Sequence, residues 1–219
     1  MQTVRIYFKK LGNAVYISHL DLVRCFTRAI RRSGIDVWYT QGFSNRPYLL
    51  FALPLALGIG SICEVVDIRL NEPLATRSII LELNRYLPEG IQIFECREAE
   101  SKTAEIDAAA YLIELQDKPE NMDLVEEITE KSIVLPEKII IEKKSKHRIT
   151  VTDIKQQIHS VSCVRKAPDR IEISVILDAG NNSNLNPVLI TGKISETLDF
   201  SPLWEITRTA ILKKDGSIY

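Results

Sequence analysis

The chain has 219 residues, of which 45% are hydrophobic and 26% charged, with four cysteines and a net charge of −1. That balance belongs to an ordinary folded protein of one large or two small domains. It excludes a uniformly basic nucleic-acid coat, and no apolar run reaches the roughly 18 residues of a membrane-spanning helix.

The charge is unevenly placed. Residues 1–60 hold Arg5, Lys9, Lys10, Arg24, Arg28, Arg31, Arg32 and Arg46 against Asp21 and Asp36, which gives +6 and leaves −7 for the remainder. Such asymmetry points to one basic surface on an otherwise acidic protein. Cys25, Cys63, Cys96 and Cys163 are far apart, with no C-x-x-C pair and no histidine at ligand spacing. The expectation is therefore no metal and no cofactor. The N-terminal QTVRIYFKK reads as a strand rather than a signal peptide, so the chain is expected in the cytoplasm.

Val4, Ile6 and Phe8 alternate with Arg5, Tyr7 and Lys9, which predicts a half-buried strand over 3–9. Leu11-Gly12-Asn13 turns the chain into the best-specified element, a helix over 19–33. Ser18 and Asp21 form a capping box in its Asp form, and Ile17 with Leu22 can close a hydrophobic staple. Leu20, Leu22, Val23, Phe26, Ala29 and Ile30 are assigned to the apolar face, with Arg24, Arg28, Arg31 and Arg32 on the other. Gly34 supplies the left-handed cap and Ile35 its apolar contact.

Strands are predicted over 35–40 and 48–53, separated by the loop QGFSNRP (41–47), and again over 61–70 after the GIG turn. Pro73 begins a second helix over 73–87, with Leu74, Ile80, Leu81 and Leu83 as core contacts, and 91–96 is the next strand. This order of elements is the split βαβ, or ferredoxin-like, pattern. The acidic stretch 98–107 (EAESKTAEID) reads as a linker between a domain over 1–97 and a second, looser ferredoxin-like domain over 108–219. In the latter, strands fall at 108–116, 138–142, 147–153, 170–178 and 204–212, the middle pair forming a hairpin through KKSKH (143–147). Helices fall at 123–131 and 187–196, and 154–168 is unassigned. The fold class is α+β, two ferredoxin-like halves in tandem with mostly antiparallel sheets.

There is no Gly-rich phosphate loop ending in Lys-Ser/Thr, no dinucleotide fingerprint and no G-x-S-x-G elbow. Of the three histidines, His147 reads as a surface residue of the lysine-rich hairpin. His19 reads either as a ring packed beside the first helical turn or as a weak candidate for a general base. The arginine face also has two readings, a solvated outer face or an anion site. All four cations are Arg, whose planar fork suits phosphate, and the nearby acid Asp21 is assigned to the cap. Arg46, Lys9 and the aromatics Tyr39 and Phe43 are grouped with this face, Trp38 and Tyr48 lying close by in sequence.

The stretches YISHLDLVRCFTRAIRRSG, YTQGF and FALPLALGIGSICEVVDIRL together resemble the bacterial radical-SAM-associated (radical-SAM-linked) family, a domain of unknown function. Its members occur alone or fused behind a B12-binding radical SAM protein. The resemblance covers about residues 3–97 well and 108–212 loosely, through strand pattern and ITRTAIL (206–212). It implies a place beside a radical SAM enzyme, in RNA modification or near translation. The loop after QGF usually ends Pro-His-Pro in that family, whereas here it reads SNRP with Arg46, and NLNP stands where an Arg-Pro pair is usual. The leading expectation is a non-catalytic module that binds RNA, not DNA or membrane, or presents it to a B12-binding radical SAM partner. The alternatives are a metal-free endoribonuclease of the CRISPR-repeat-processing type and a protein–protein adaptor using the basic face.

Overall fold

The computed structural model describes residues 1–42, 44–145 and 148–219, with the backbone alone at 143–145 and 148–150. The chain divides into two compact units, Met1–Glu105 and Ile106–Tyr219. Both are mixed α+β with antiparallel sheets. The first runs β1 (Gln2–Lys10), α1 (His19–Ser33), β2 (Leu49–Phe51), β3 (Gly60–Leu70), α2 (Thr76–Asn84) and β4 (Ile91–Glu98). Its sheet order is β4-β1-β3-β2, each pair antiparallel.

Alternation along β1 decides how this unit packs. Val4, Ile6 and Phe8 are buried with Phe26 and Ile30 of α1 and with Ile79 and Leu83 of α2. Arg5, Tyr7 and Lys9 therefore belong to the side of the sheet away from those helices. Gly90 holds the turn into β4. Its φ is +85°, and a Cβ there would stand 2.3 Å from the Leu11 carbonyl oxygen, which is why glycine occupies it.

Several expectations need correction in this unit. Residues 35–40 form no strand and make only isolated bridges, Val37 to Leu70 and Tyr39 to Pro47. The extended chain changes partner along its length: Trp38 N–H donates to Arg69 O, Thr40 N–H to Arg46 O. No continuous ladder can form that way. Leu20 is 68% exposed. At about 100° per residue it stands some 200° from Leu22, among the arginines. The second helix is shorter than 73–87, with Leu74 and Leu81 exposed and Ile79 joining Leu83 in the core. Ile79 and Leu83 are an i,i+4 pair, which leaves Leu81 on the opposite side. The stretch 98–107 contains the end of β4 and a 3₁₀ turn at Thr103–Glu105, and Ala99 N–H donates to Thr3 O.

The second unit comprises β5 (Ile106–Gln116), α3 (Pro119–Thr129), β6 (Ile140–Ser145), β7 (Arg148–Asp153), β8 (Ile158–Ala167), β9 (Arg170–Asp178), α4 (Val188–Ser195) and β10 (Trp204–Lys213). Its sheet runs β10-β5-β9-β8, all antiparallel, and β6 and β7 pair as a separate hairpin. With that hairpin set aside, the strand order repeats that of the first unit. Lys146 and His147, at the expected hairpin reversal, lie outside the described residues. α3 starts earlier than expected, with Pro119 in its first turn, and ends in a π-type turn at Glu130–Val134. The unassigned stretch contains β8, whose residues are either exposed or partly buried, with none fully buried. Among the described residues, no helix is long and apolar enough to cross a membrane.

Candidate nucleic-acid interface

α1 is held at both ends. Ser18 takes the cap in extended backbone (φ −66°, ψ 160°), and its Oγ accepts the Asp21 N–H at 3.2 Å. The same hydroxyl donates to Asp21 Oδ2 at 2.7 Å. That bond, followed by one from Arg24, holds the Asp21 carboxyl below its ordinary range. Gly34 closes the helix at φ 70°, the left-handed conformation that glycine adopts without strain. A rigid rod results, its inner face fixed by Phe26 against Phe8 with ring centroids 4.9 Å apart.

The outer face carries Arg24, Arg28, Arg31 and Arg32, all exposed. One point differs from expectation: Arg24 Nη1 donates to Asp21 Oδ1 at 2.7 Å, so the cap acid also has an ion-pair partner on its own helix. Arg24 reaches back one turn to a carboxylate that the Ser18 bonds had already oriented. Among the described residues, the guanidinium groups of Arg28, Arg31, Arg32 and Arg46 make no hydrogen bond or ion pair.

Lys9 does not join this face. It lies on the opposite side of the sheet, with Nζ 5.8 Å from the Phe94 ring centroid, because strand alternation puts it out of phase with Phe8. Phe43 lies outside the described residues. Tyr39 and Arg46 belong to a short two-stranded ribbon in which Tyr39 opposes Pro47, and Thr40 N–H donates to Arg46 O at 2.9 Å. The ring of His19 stands edge-on to Phe51, centroids 5.2 Å apart at 80°, and Phe51 is edge-on to Phe26 at 5.6 Å. His19 is thus packed into the aromatic seam under the first turn of α1.

Two residues that sequence reasoning passed over matter here. Arg69 projects from β3 between Trp38 and Tyr48, its Cζ 5.1 Å and 4.6 Å from their ring centroids. Arg5, only 2% exposed, bonds Asp67 through two nitrogens at 2.8 and 2.9 Å and reaches Ser101 Oγ and O at 2.6 and 2.8 Å. The signal for Arg69, and for Asp67 as the partner of Arg5, is a pair of charged residues alternating inside the apolar run VVDIRL.

Among the described residues, no three His, Cys, Asp or Glu side chains stand where they could hold a metal ion. Burial pushes the Cys96 thiol up to about 12 and the Cys163 thiol to about 11. Neither supplies a thiolate at neutral pH.

No curated protein matches the chain. Among solved structures, a chain of the crystal structure of a Cbf5-Nop10-Gar1 complex is similar at TM-score 0.52 and 12% identity, over 97% of this chain and 50% of that one. A chain of the crystal structure of the archaeal box H/ACA sRNP Nop10-Cbf5 complex has TM-score 0.43 and 11% identity, over 94% of this chain and 46% of that one. The protein spans about half the length of these chains, and the first likeness is one of fold. A model of a family described as an uncharacterized protein conserved in bacteria (DUF2344) matches residues 3–187, and the chain belongs to that family.

Proposed function

We propose that this protein is a non-catalytic RNA-binding module that presents its RNA to a B12-binding radical SAM enzyme in the cytoplasm, in RNA modification. We read each of its two units as a split βαβ arrangement, with α1 of the first as the main RNA contact. The observation that carries this reading is the row of exposed arginines on a doubly capped helix, three of them without an acceptor among the described residues. A guanidinium carries up to five N–H donors in a plane and suits the paired oxygens of a phosphate. Arg24, Arg28 and Arg31 stand at i, i+4 and i+7, so successive charges are spaced about 5–6 Å along the helix, close to the spacing of phosphates on an extended single strand. The partner enzyme rests on the resemblance of the sequence alone.

The test is titration of the protein with single-stranded RNA at several salt concentrations, after purification at low salt and a check of A260/A280 for carried-over nucleic acid. Three phosphate contacts predict a log–log slope of about −2, from ~0.7 per contact on a single strand. Absence of binding at low salt would remove the RNA reading and make an acidic protein the better partner for this face.

A further inference from the structure

The ribbon formed by residues 38–40 and 46–48 collects a second group of side chains, distinct from α1. Tyr39 opposes Pro47 in an antiparallel bridge, and Tyr48 N–H donates to Trp38 O at 3.0 Å. Trp38 therefore stands across from Tyr48 and Thr40 across from Arg46, and alternation puts these four side chains on one face of the ribbon. Tyr39 is on the other. The Trp38 and Tyr48 rings confirm the register, with centroids 6.0 Å apart at 65°. Arg69 enters on the same face, its guanidinium within 4.6 Å of one ring centroid and 5.1 Å of the other.

This arrangement satisfies the charge of Arg69 only in part. An aromatic face attracts a cation but accepts no conventional hydrogen bond, so the in-plane N–H groups keep their need for an oxygen. Among the described residues, the Arg69 guanidinium has no hydrogen-bonded acceptor. Asp67 is engaged with Arg5 and Asp36 with Asn71 Nδ2 at 2.7 Å, and among the described residues Glu72, three positions on, makes no ion pair with Arg69. Stacking also lowers the entropy that a long side chain loses on binding, because the guanidinium is already oriented. Arg46, exposed on the same face, adds a second cation beside the aromatic pair.

We propose that Arg69, clamped by Trp38 and Tyr48 and assisted by Arg46, holds a phosphodiester of single-stranded RNA, with the adjoining base against the aromatic pair. The proposal rests on the RNA reading of the previous section and gives the bound strand a second anchor. Base stacking on an aromatic ring next to a phosphate-holding arginine is the usual chemistry of single-strand binding.

Trp38 supplies its own reporter. The chain has two tryptophans, so W204F leaves Trp38 as the sole tryptophan, read by excitation at wavelengths that tyrosine does not absorb. In that background, a fluorescein-labelled oligouridylate is titrated while anisotropy and Trp38 emission are followed. The expected result is a change in Trp38 emission that saturates with the anisotropy. R69Q should weaken binding about ten-fold, flatten the salt slope by about 0.7 and abolish the emission change. R69K should keep the slope but not the full affinity, since lysine lacks the bidentate fork. R46Q should weaken binding while circular dichroism stays unchanged, which covers the case of R69Q failing to fold. R28Q/R31Q should lower affinity yet keep the emission change at saturation. If the parent binds RNA but R69Q and R46Q bind as it does, or Trp38 emission never responds, the second anchor is wrong while the α1 reading stands. If inorganic phosphate at matched ionic strength reverses the emission change, the site takes a free anion and not a strand. If the parent binds no RNA, both proposals fall together.

Discussion

Replacing Asp67 by alanine is expected to destabilise the protein by about 3–5 kcal/mol, because it takes a bidentate carboxylate from a buried guanidinium. Arg5 is 2% exposed and is held by both carboxylate oxygens of Asp67. The bonds from Arg5 to Ser101 Oγ and the Ser101 carbonyl are to neutral acceptors and do not replace a bidentate carboxylate. A loss of this size is a large part of the total stability of a domain. It should appear in urea unfolding as a lower midpoint with little change in slope. A loss below about 1 kcal/mol would mean that water reaches Arg5 and that the pair is in effect a surface one.

The second large effect is expected from Phe26→Ala, at about 3–5 kcal/mol for the lost transfer and the cavity left behind. Phe26 has no exposure and touches both Phe8 and Phe51. It is the aromatic by which α1 is pressed onto its sheet, so the variant also tests whether helix packing and RNA binding are separable. At a temperature where the variant is still folded, its salt slope for RNA should equal that of the wild type, since no phosphate contact is removed. A thermal melt and one titration series decide this. A melting temperature within a degree or two of wild type would show that α1 is anchored by other residues.

Much of the first unit was legible because its signals are local. The Ser18–Asp21 cap, Gly34 and the period of Phe26, Ala29 and Ile30 each specify α1 without reference to the rest of the chain. β9 was legible for the same reason, as four apolar residues alternate between Arg170 and Asp178. What was missed depends on partners far off in sequence. The alternation at 35–40 resembles a strand, but whether a ladder forms depends on where Arg69 and Arg46 present their carbonyls. β8 has a weak pattern because none of its residues is fully buried. Leu20 is apolar yet 68% exposed, because about 200° of helical rotation separates it from Leu22.

The candidate site shows the same division. The arginine row was visible as spacing on one helix. Its pairing was not, since Asp21 was assigned to the cap alone, although one carboxylate serves both Ser18 and Arg24. Lys9 was grouped with the arginines by charge, and the sheet separates them. Arg69 escaped notice because its aromatic partners lie 31 and 21 residues earlier in the chain.

The outer face of α1 is proposed to hold RNA phosphates, and the ion pair of Arg24 determines which of its residues make the best test. Arg28 and Arg31 have no acceptor among the described residues, so Arg28→Gln/Arg31→Gln removes two cations while sparing the Asp21 cap. Glutamine is nearly as good a helix former as arginine, and neither side chain is buried, so circular dichroism and the melting temperature should stay at wild-type values. The measurement is the salt dependence of single-stranded RNA affinity for the double variant beside the wild type. The expected result is weaker binding and a log–log slope flatter by about 1.4, two contacts at ~0.7 each. A double variant that binds RNA with wild-type affinity and slope at every salt concentration would contradict it.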